Sequence, residues 1–407
     1  GSPVPTQLCG ISTSYALAAL GSTDPLAISA GYAGEIFACE ASAYDFDPCD
    51  CEQVSPPIAS DETWVQRSTV TDPVHPLGSK SPSYGAARIS ATEACIVGAF
   101  GRIQRFEVDA TDEVIDVATP YFLRLSDGSF FNETTGCVIG DGWVIMFTDD
   151  GGVSWTVPDL SWTPNDSPDG KGIDLSPSGD YGVGVGTGGF IAHSDDVGAS
   201  WTRVTGSPVS VDLNAVASVP NSSTVFAVGS DGNVIKSTDN GETWASVTTT
   251  GSEDLFGVSF ATTSVGYVVG EDAKAYRTTD GGTTWSNAPA SGSSAEAFRD
   301  VQTWGDGTEA IIVGDNGGVY QRTVSAQRFT KVDLGSVAVS EHLQDVEVLN
   351  SGTNVRICGD NGVVLFRDSG TWTRVRSQTT ERLHRHSFQS ATHGFGIGQG
   401  TVVVEYD

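Results

Sequence analysis

Four times in this chain a hydroxyl residue is followed two places on by Asp, four on by Gly and seven on by Trp. The phrase reads Thr148-Asp-Asp150-Gly-Gly152-Val-Ser-Trp155 and Ser194-Asp-Asp196-Val-Gly198-Ala-Ser-Trp201, then Ser237-Thr-Asp239-Asn-Gly241-Glu-Thr-Trp244 and Thr278-Thr-Asp280-Gly-Gly282-Thr-Thr-Trp285. Short hydroxyl and carboxylate side chains hydrogen-bond the backbone of their own turn, and Gly supplies the positive φ that such a turn needs. The Trp then opens a strand and brings a large ring to bury against neighbouring sheet. The spacing therefore predicts a stapled hairpin with all four Trp buried. These Trp residues stand 46, 43 and 41 positions apart, a period at which one supersecondary unit repeats because it cannot bury its apolar face alone.

Short apolar runs ending in Gly precede the turns, among them Phe226-Ala-Val-Gly229, Tyr267-Val-Val-Gly270 and Ile311-Ile-Val-Gly314. Apolar, β-branched runs punctuated by glycine are strands, so one unit is four strands, at 213–219, 224–229, 234–237 and 244–248. With 49 Gly and one Met in 407 residues and no amphipathic helical pattern, the chain reads as all-β. Glycines 31, 98, 140, 186, 229, 270, 314, 359 and 398 mark nine such units, with eight as the alternative. In the first of them a Cys/Asp-rich insertion, residues 40–61, replaces the turn before Glu62-Thr63-Trp64 restores the ending. No segment reads as a linker, so residues 1–407 are taken as one domain. The last unit stops before an outermost strand, and an open ring leaves unpaired edges. Residues 4–8 are assigned that place, which makes the two ends of the chain a clasp.

The turn phrase resembles the Asp-box (bacterial neuraminidase) repeat. That resemblance implies a β-propeller with each box on the hairpin between the third and fourth strands of a blade, away from the binding face. Sortilin-type receptors, also built from Asp boxes, imply that rings wider than eight blades close. Sialidases share the box, but their site begins with Phe/Tyr-Arg-Ile-Pro; Arg88-Ile89-Ser90 lacks both the aromatic and the Pro, so sialidase activity is not expected. The phrasing of residues 80–400 is most similar to the photosystem II stability/assembly factor family. That similarity implies an assembly scaffold with a basic patch.

Asp and Glu number 51 against 21 Lys and Arg, a formal charge of −30. Such a field repels nucleic acid and anionic membrane, and no apolar run reaches membrane-spanning length, so neither partner is expected. Of the seven Cys, Cys95, Cys137 and Cys358 lie in apolar runs that suit a small buried hydrophobe. Cys9, Cys39, Cys49 and Cys51 cluster near the N-terminus, and two disulfides of open connectivity are expected among them. That implies an oxidising compartment: secreted, periplasmic or cell-surface. A zinc site in this cluster is the alternative, although no His lies within it. Asp45, Asp47, Asp50 and Glu52 offer oxygen ligands for Ca²⁺ without EF-hand spacing; a disulfide-pinned acidic loop accounts for them without metal. No cofactor is expected.

Two groups of residues are candidate sites. Innermost strands line a propeller's channel, and the late ones turn polar: Arg299-Asp300-Val-Gln302, Gln344-Asp345-Val-Glu347 and His384-Arg385-His386-Ser387. Acids, bases and His gathered there suit a small polar ligand or proton transfer, while a wet, charge-balanced channel is the plainer alternative. The second group is a basic patch, Arg356, Arg367, Arg374, Arg376 and Arg382, conspicuous in so acidic a chain. No catalytic residue is assigned. The expected function is a non-catalytic, exported, monomeric scaffold that binds a protein or small polar ligand; a carbohydrate-active enzyme or lectin-like glycan binder is the alternative.

Overall fold

The structure is a computed structural model. It describes residues 125–163, 169–176, 178–247, 251–292, 296–325, 328–376, 382–388, 394–398 and 403–406, with strands at 64–66, 83–88, 93–98, 103–107 and 114–117. That description excludes the side chains of the strands before residue 118, of residues 350 and 376, and of those after Leu383. All the described strands belong to one compact unit, Trp64–Val70 with Lys80–Asp407.

Strands and short turns make up the described residues, and the strands form eight sheets. The sheets begin, in chain order, with Ser83–Arg88, Leu125–Phe130, Gly170–Leu175, Leu213–Ser218, Leu255–Phe260, Phe298–Trp304, Leu343–Leu349 and Leu383–Phe388. The fourth sheet shows the plan: Leu213–Ser218, Val225–Gly229, Val234–Ser237 and Ala245–Val247 run antiparallel in that order. These bounds lie within a residue or two of those predicted from the turn and glycine marks. The starting strands neighbour one another in chain order, and Ser83–Arg88 also lies beside Leu383–Phe388.

The core sits between sheets. Second strands such as Val225–Gly229 and Gly136–Gly140 are buried at every residue, because both faces meet neighbouring sheet; that is why they read as unbroken apolar runs rather than alternating ones. The connection before two of the sheets adds a parallel edge strand. Asp159–Leu160 pairs with Ser200 and Trp201 of the third sheet, and Ala290–Ser291 pairs with Phe329 and Thr330 of the sixth.

The outermost place of the last sheet corrects one expectation. It is held by Trp64–Gln66, antiparallel to Val403–Tyr406 with Trp64 opposite Tyr406, and not by residues 4–8. The phrase ending at Trp64 marks a strand correctly, but its place is the last sheet rather than the end of a first unit. Any extended segment can satisfy an exposed edge, so local sequence does not say which sheet receives it. Residues 4–8, the unit at Gly31 and the insertion at 40–61 lie outside the described residues, as do Cys9, Cys39, Cys49 and Cys51. Cys137 and Cys358 are buried, and burial pushes the Cys137 thiol pKa up.

Candidate functional site

Antiparallel strands send their loops alternately to two ends, so each sheet contributes to two opposite faces. One face carries the repeated Asp turns. In the third sheet Ser194 Oγ donates to Asp196 Oδ1 (2.9 Å) and accepts from the Gly198 amide (2.8 Å), while Asp196 accepts from the Ser200 amide and hydroxyl, both at 2.7 Å. Trp201 Nε1 closes the turn by donating to the Gly198 carbonyl at 3.0 Å. The same hydroxyl–carboxylate bonds recur at Asp150, Asp239 and Asp280. The Thr284 hydroxyl and amide, then Thr278, hold the Asp280 carboxyl down to about 2. At Asp196 burial opposes ionisation, yet the hydroxyl and amide bonds of Ser200, with Ser194, outweigh it and lower the pKa. Trp155, Trp201 and Trp285 are buried. Trp244 is only half-buried, which corrects the expectation of four sealed rings.

These turns also lock neighbouring sheets. A methyl group built on Gly198 would overlap the Cys137 sulfur of the preceding sheet, and one on Gly282 would overlap the Phe226 ring. The turn glycine thus serves close approach between sheets as well as its φ of +99° at Gly198. The turn hydroxyl and the Asp two places after it are committed to the turn itself and serve to fasten it.

The other face is built from second-to-third-strand turns and the segments entering each sheet. Its recurrent bond runs from the turn amide to the entering carbonyl: Ser230 to Asp212, Glu271 to Asp254, Asp315 to Ala297 and Asp360 to His342, at 2.8–2.9 Å. A Cβ at Gly229, whose backbone is fully extended, would strike the Asp212 carbonyl oxygen, so here glycine is needed for approach and not for φ.

Each starting strand also carries a β-bulge one residue after its first paired position. The extra residues are Tyr84, Ser126, Lys171, Asn214, Phe256, Arg299, Gln344 and His384. A bulge re-aims a side chain out of the ladder, and the polar ones link up along this face. Lys171 Nζ reaches Asp212 Oδ2 and Asn214 Oδ1, both at 2.9 Å, and Asn214 donates onward to the Leu255 carbonyl. The Lys171 bond is the main cause of a lowered Asp212 pKa, aided by the Gly188 amide. Arg299 stacks over Phe256 and forks onto Asp315 at 2.9 and 3.3 Å, where His342 Nδ1 also approaches to 3.0 Å. Gln344 donates to Asp360, which Arg382 grips at 2.7 Å. Arg374 lies 3.6 Å from Glu341.

The predicted site residues therefore separate. Arg299 and Gln344 share this face with Arg374 and Arg382. Asp300 does not join them: its Oδ2 accepts the Val346 amide of the next sheet at 3.1 Å, as Asp127 and Asp174 do for Ile173 and Ser218. Asp345 is buried. Arg356 and Arg367 belong to the fold's interior. Arg356 is 1% exposed, stacked on Phe366 and paired with Asp368, and Arg367 bonds Gln321 and the Gly352 carbonyl. The side chains of Arg376, His384, Arg385 and His386 lie outside the description; His384 to His386 stand on the strand Leu383–Phe388. Sequence reasoning missed Lys171, Asp212, Asp315, His342 and Asp360. Of these only Lys171 stands at a bulge, in Gly170-Lys-Gly172, and the bulge does have a sequence signal, a variable residue followed by Gly, Ala or Asp, as in Leu213-Asn-Ala, Leu255-Phe-Gly and Leu343-Gln-Asp.

A family model described as Photosynthesis system II assembly factor YCF48 matches residues 109–210, and one described as DUF6242 beta propeller domain matches 181–333. Photosystem II assembly lipoprotein Ycf48 of Synechococcus sp. (strain CC9902) is 33% identical over 129 residues, 30% of this chain and 36% of that protein, so the match falls well short of the relative's full length. The structure titled YCF48 bound to D1 peptide superposes with a TM-score of 0.55 at 19% identity, covering 69% of this chain and 91% of its own. Saccharomyces cerevisiae Sqt1 reaches 0.65 at 10% identity, covering 84% and 97%. Such likeness shows the fold, a β-propeller, and the repeat phrasing resembles photosystem II assembly factors.

Proposed function

We propose that this chain is a non-catalytic propeller scaffold that docks a peptide segment of a partner protein on the bulge face. The observation that carries this reading is the set of half-exposed cations there: Lys171, Arg299, Arg374 and Arg382 are 32–45% exposed in a chain of net charge −30. Each is held by a carboxylate of the protein itself, so an incoming carboxylate exchanges for one already present and meets a pre-oriented guanidinium or ammonium. The relative solved with a D1 peptide supports a peptide as the ligand class.

The same reading takes the domain as a closed eight-bladed ring. Support comes from the order of the starting strands, with the first beside the last, and from Trp64–Gln66 completing the last sheet. It also places the protein outside the cytoplasm, in keeping with a relative named as a lipoprotein.

The test is an array of acidic and neutral peptides probed with the full chain. Arg299→Glu with Arg382→Glu should abolish acidic-peptide binding, whereas Thr243→Ala on the opposite face should leave it intact. Equal loss from both faces, or binding of glycans with no peptide binding, would overturn the proposal.

A further inference from the structure

On the Asp-turn face, the residue before the turn hydroxyl lies against the next sheet's turn. Phe147 stands near Gly198, His193 near Gly241, and Lys236 donates its ammonium to the Gly281 carbonyl at 2.6 Å. The slot between the fourth and fifth sheets thus holds a cation supplied by the chain. Between the third and fourth sheets the same slot is lined differently. A His193 ring nitrogen, an Asp195 carboxylate oxygen and a Glu242 carboxylate oxygen lie within 4.8 Å of one another.

His193 is the informative member. Its side chain is 7% exposed, and Nε2 has no hydrogen-bond partner among the described residues. Asp195 Oδ1 stands 3.1 Å away, close in distance but without the alignment of a hydrogen bond. A buried imidazole nitrogen left without a hydrogen bond beside two carboxylates is costly unless something binds there. We propose that His193, Asp195 and Glu242 form a divalent transition-metal site, best suited to Zn²⁺, that clips the third sheet to the fourth.

The donor set decides the metal class. An imidazole with two carboxylates suits Zn²⁺ and its neighbours, whereas Ca²⁺ takes oxygen ligands only. With metal–ligand bonds of about 2.0–2.2 Å, ligand atoms of a tetrahedral site stand roughly 3.4 Å apart. The His193–Asp195 separation of 3.1 Å is within a few tenths of an ångström of that spacing. Asp195 and Glu242 are exposed, so rotation of their side chains closes the remaining gap without moving backbone. Three protein ligands leave a fourth position for water.

The experiment titrates Zn²⁺ into the full chain after chelator treatment, by calorimetry, with Co²⁺ absorption as a second readout. One equivalent should bind, with a Co²⁺ spectrum lacking thiolate-to-metal charge transfer, which separates this site from the cysteines. Glu242→Gln and Asp195→Asn change exposed groups, so both variants should melt like the parent without metal. Each should weaken binding about tenfold or more, since even outer-shell partners of a metal cost about 10–100-fold when lost. Zn²⁺ should raise the melting temperature of the parent and not that of the double variant. Unchanged affinity in both carboxylate variants, a thiolate band as the sole Co²⁺ signal, or no binding at all would each refute the site.

Discussion

Replacing Gly198 by Ala puts a methyl group where the third sheet's turn meets the Cys137 sulfur of the second. Two costs arise and are separable. The backbone there has φ +99°, and a left-handed conformation costs an L-residue roughly 1–2 kcal/mol. Overfilling a packed contact adds about 1–3 kcal/mol, so the whole change should cost roughly 2–5 kcal/mol. Gly370, in the seventh sheet's shortened turn, isolates the first cost: its φ is +90° and nothing lies within 4 Å of a built Cβ. Gly370→Ala should therefore lose only about 1–2 kcal/mol. Adding Cys137→Ala to Gly198→Ala removes the obstructing sulfur, and a double-mutant cycle should return a favourable coupling of about 1–3 kcal/mol. Guanidinium unfolding followed by Trp fluorescence, under reducing conditions, reads all five proteins: the parent, the three single variants and the double variant. If Gly198→Ala and Gly370→Ala shift the midpoint equally, or the cycle shows no coupling, the turn glycine does not lock sheets together.

Trp201, 1% exposed, should cost about 3–5 kcal/mol on truncation to Ala, and the half-buried Trp244 distinctly less; equal losses in melting experiments would contradict the burial difference. Asp280 is held near pKa 2, below its unfolded value of about 3.9. Its stabilising contribution is thus complete above about pH 4 and fades as pH falls through 2. The melting-temperature gap between parent and Asp280→Asn should be full at pH 5 and shrink towards pH 2, and a gap independent of pH would rule out the ionised staple.

What the sequence by itself determined here is what short-range chemistry can write. A hydroxyl, an Asp, a Gly and a Trp at fixed spacing close one turn through bonds spanning four residues or fewer, so those turns were legible. The strand ends at Gly229 and Gly314 were legible too, because only glycine tolerates the carbonyl pressed against it. Tertiary structure decided everything that joins one sheet to the next. Asp300 looked like a channel ligand and proves to hold an amide 46 positions away; Arg356 and Arg367 looked like surface charge and are sealed inside. The pairing of Trp64–Gln66 with the last strand, the continuous bulge face, and the meeting of His193 with Glu242 belong to the same class. Each depends on which surfaces stack once the repeats bury their apolar faces, and a repeat carries its own fold in its residues but not the identity of its neighbour's side chains.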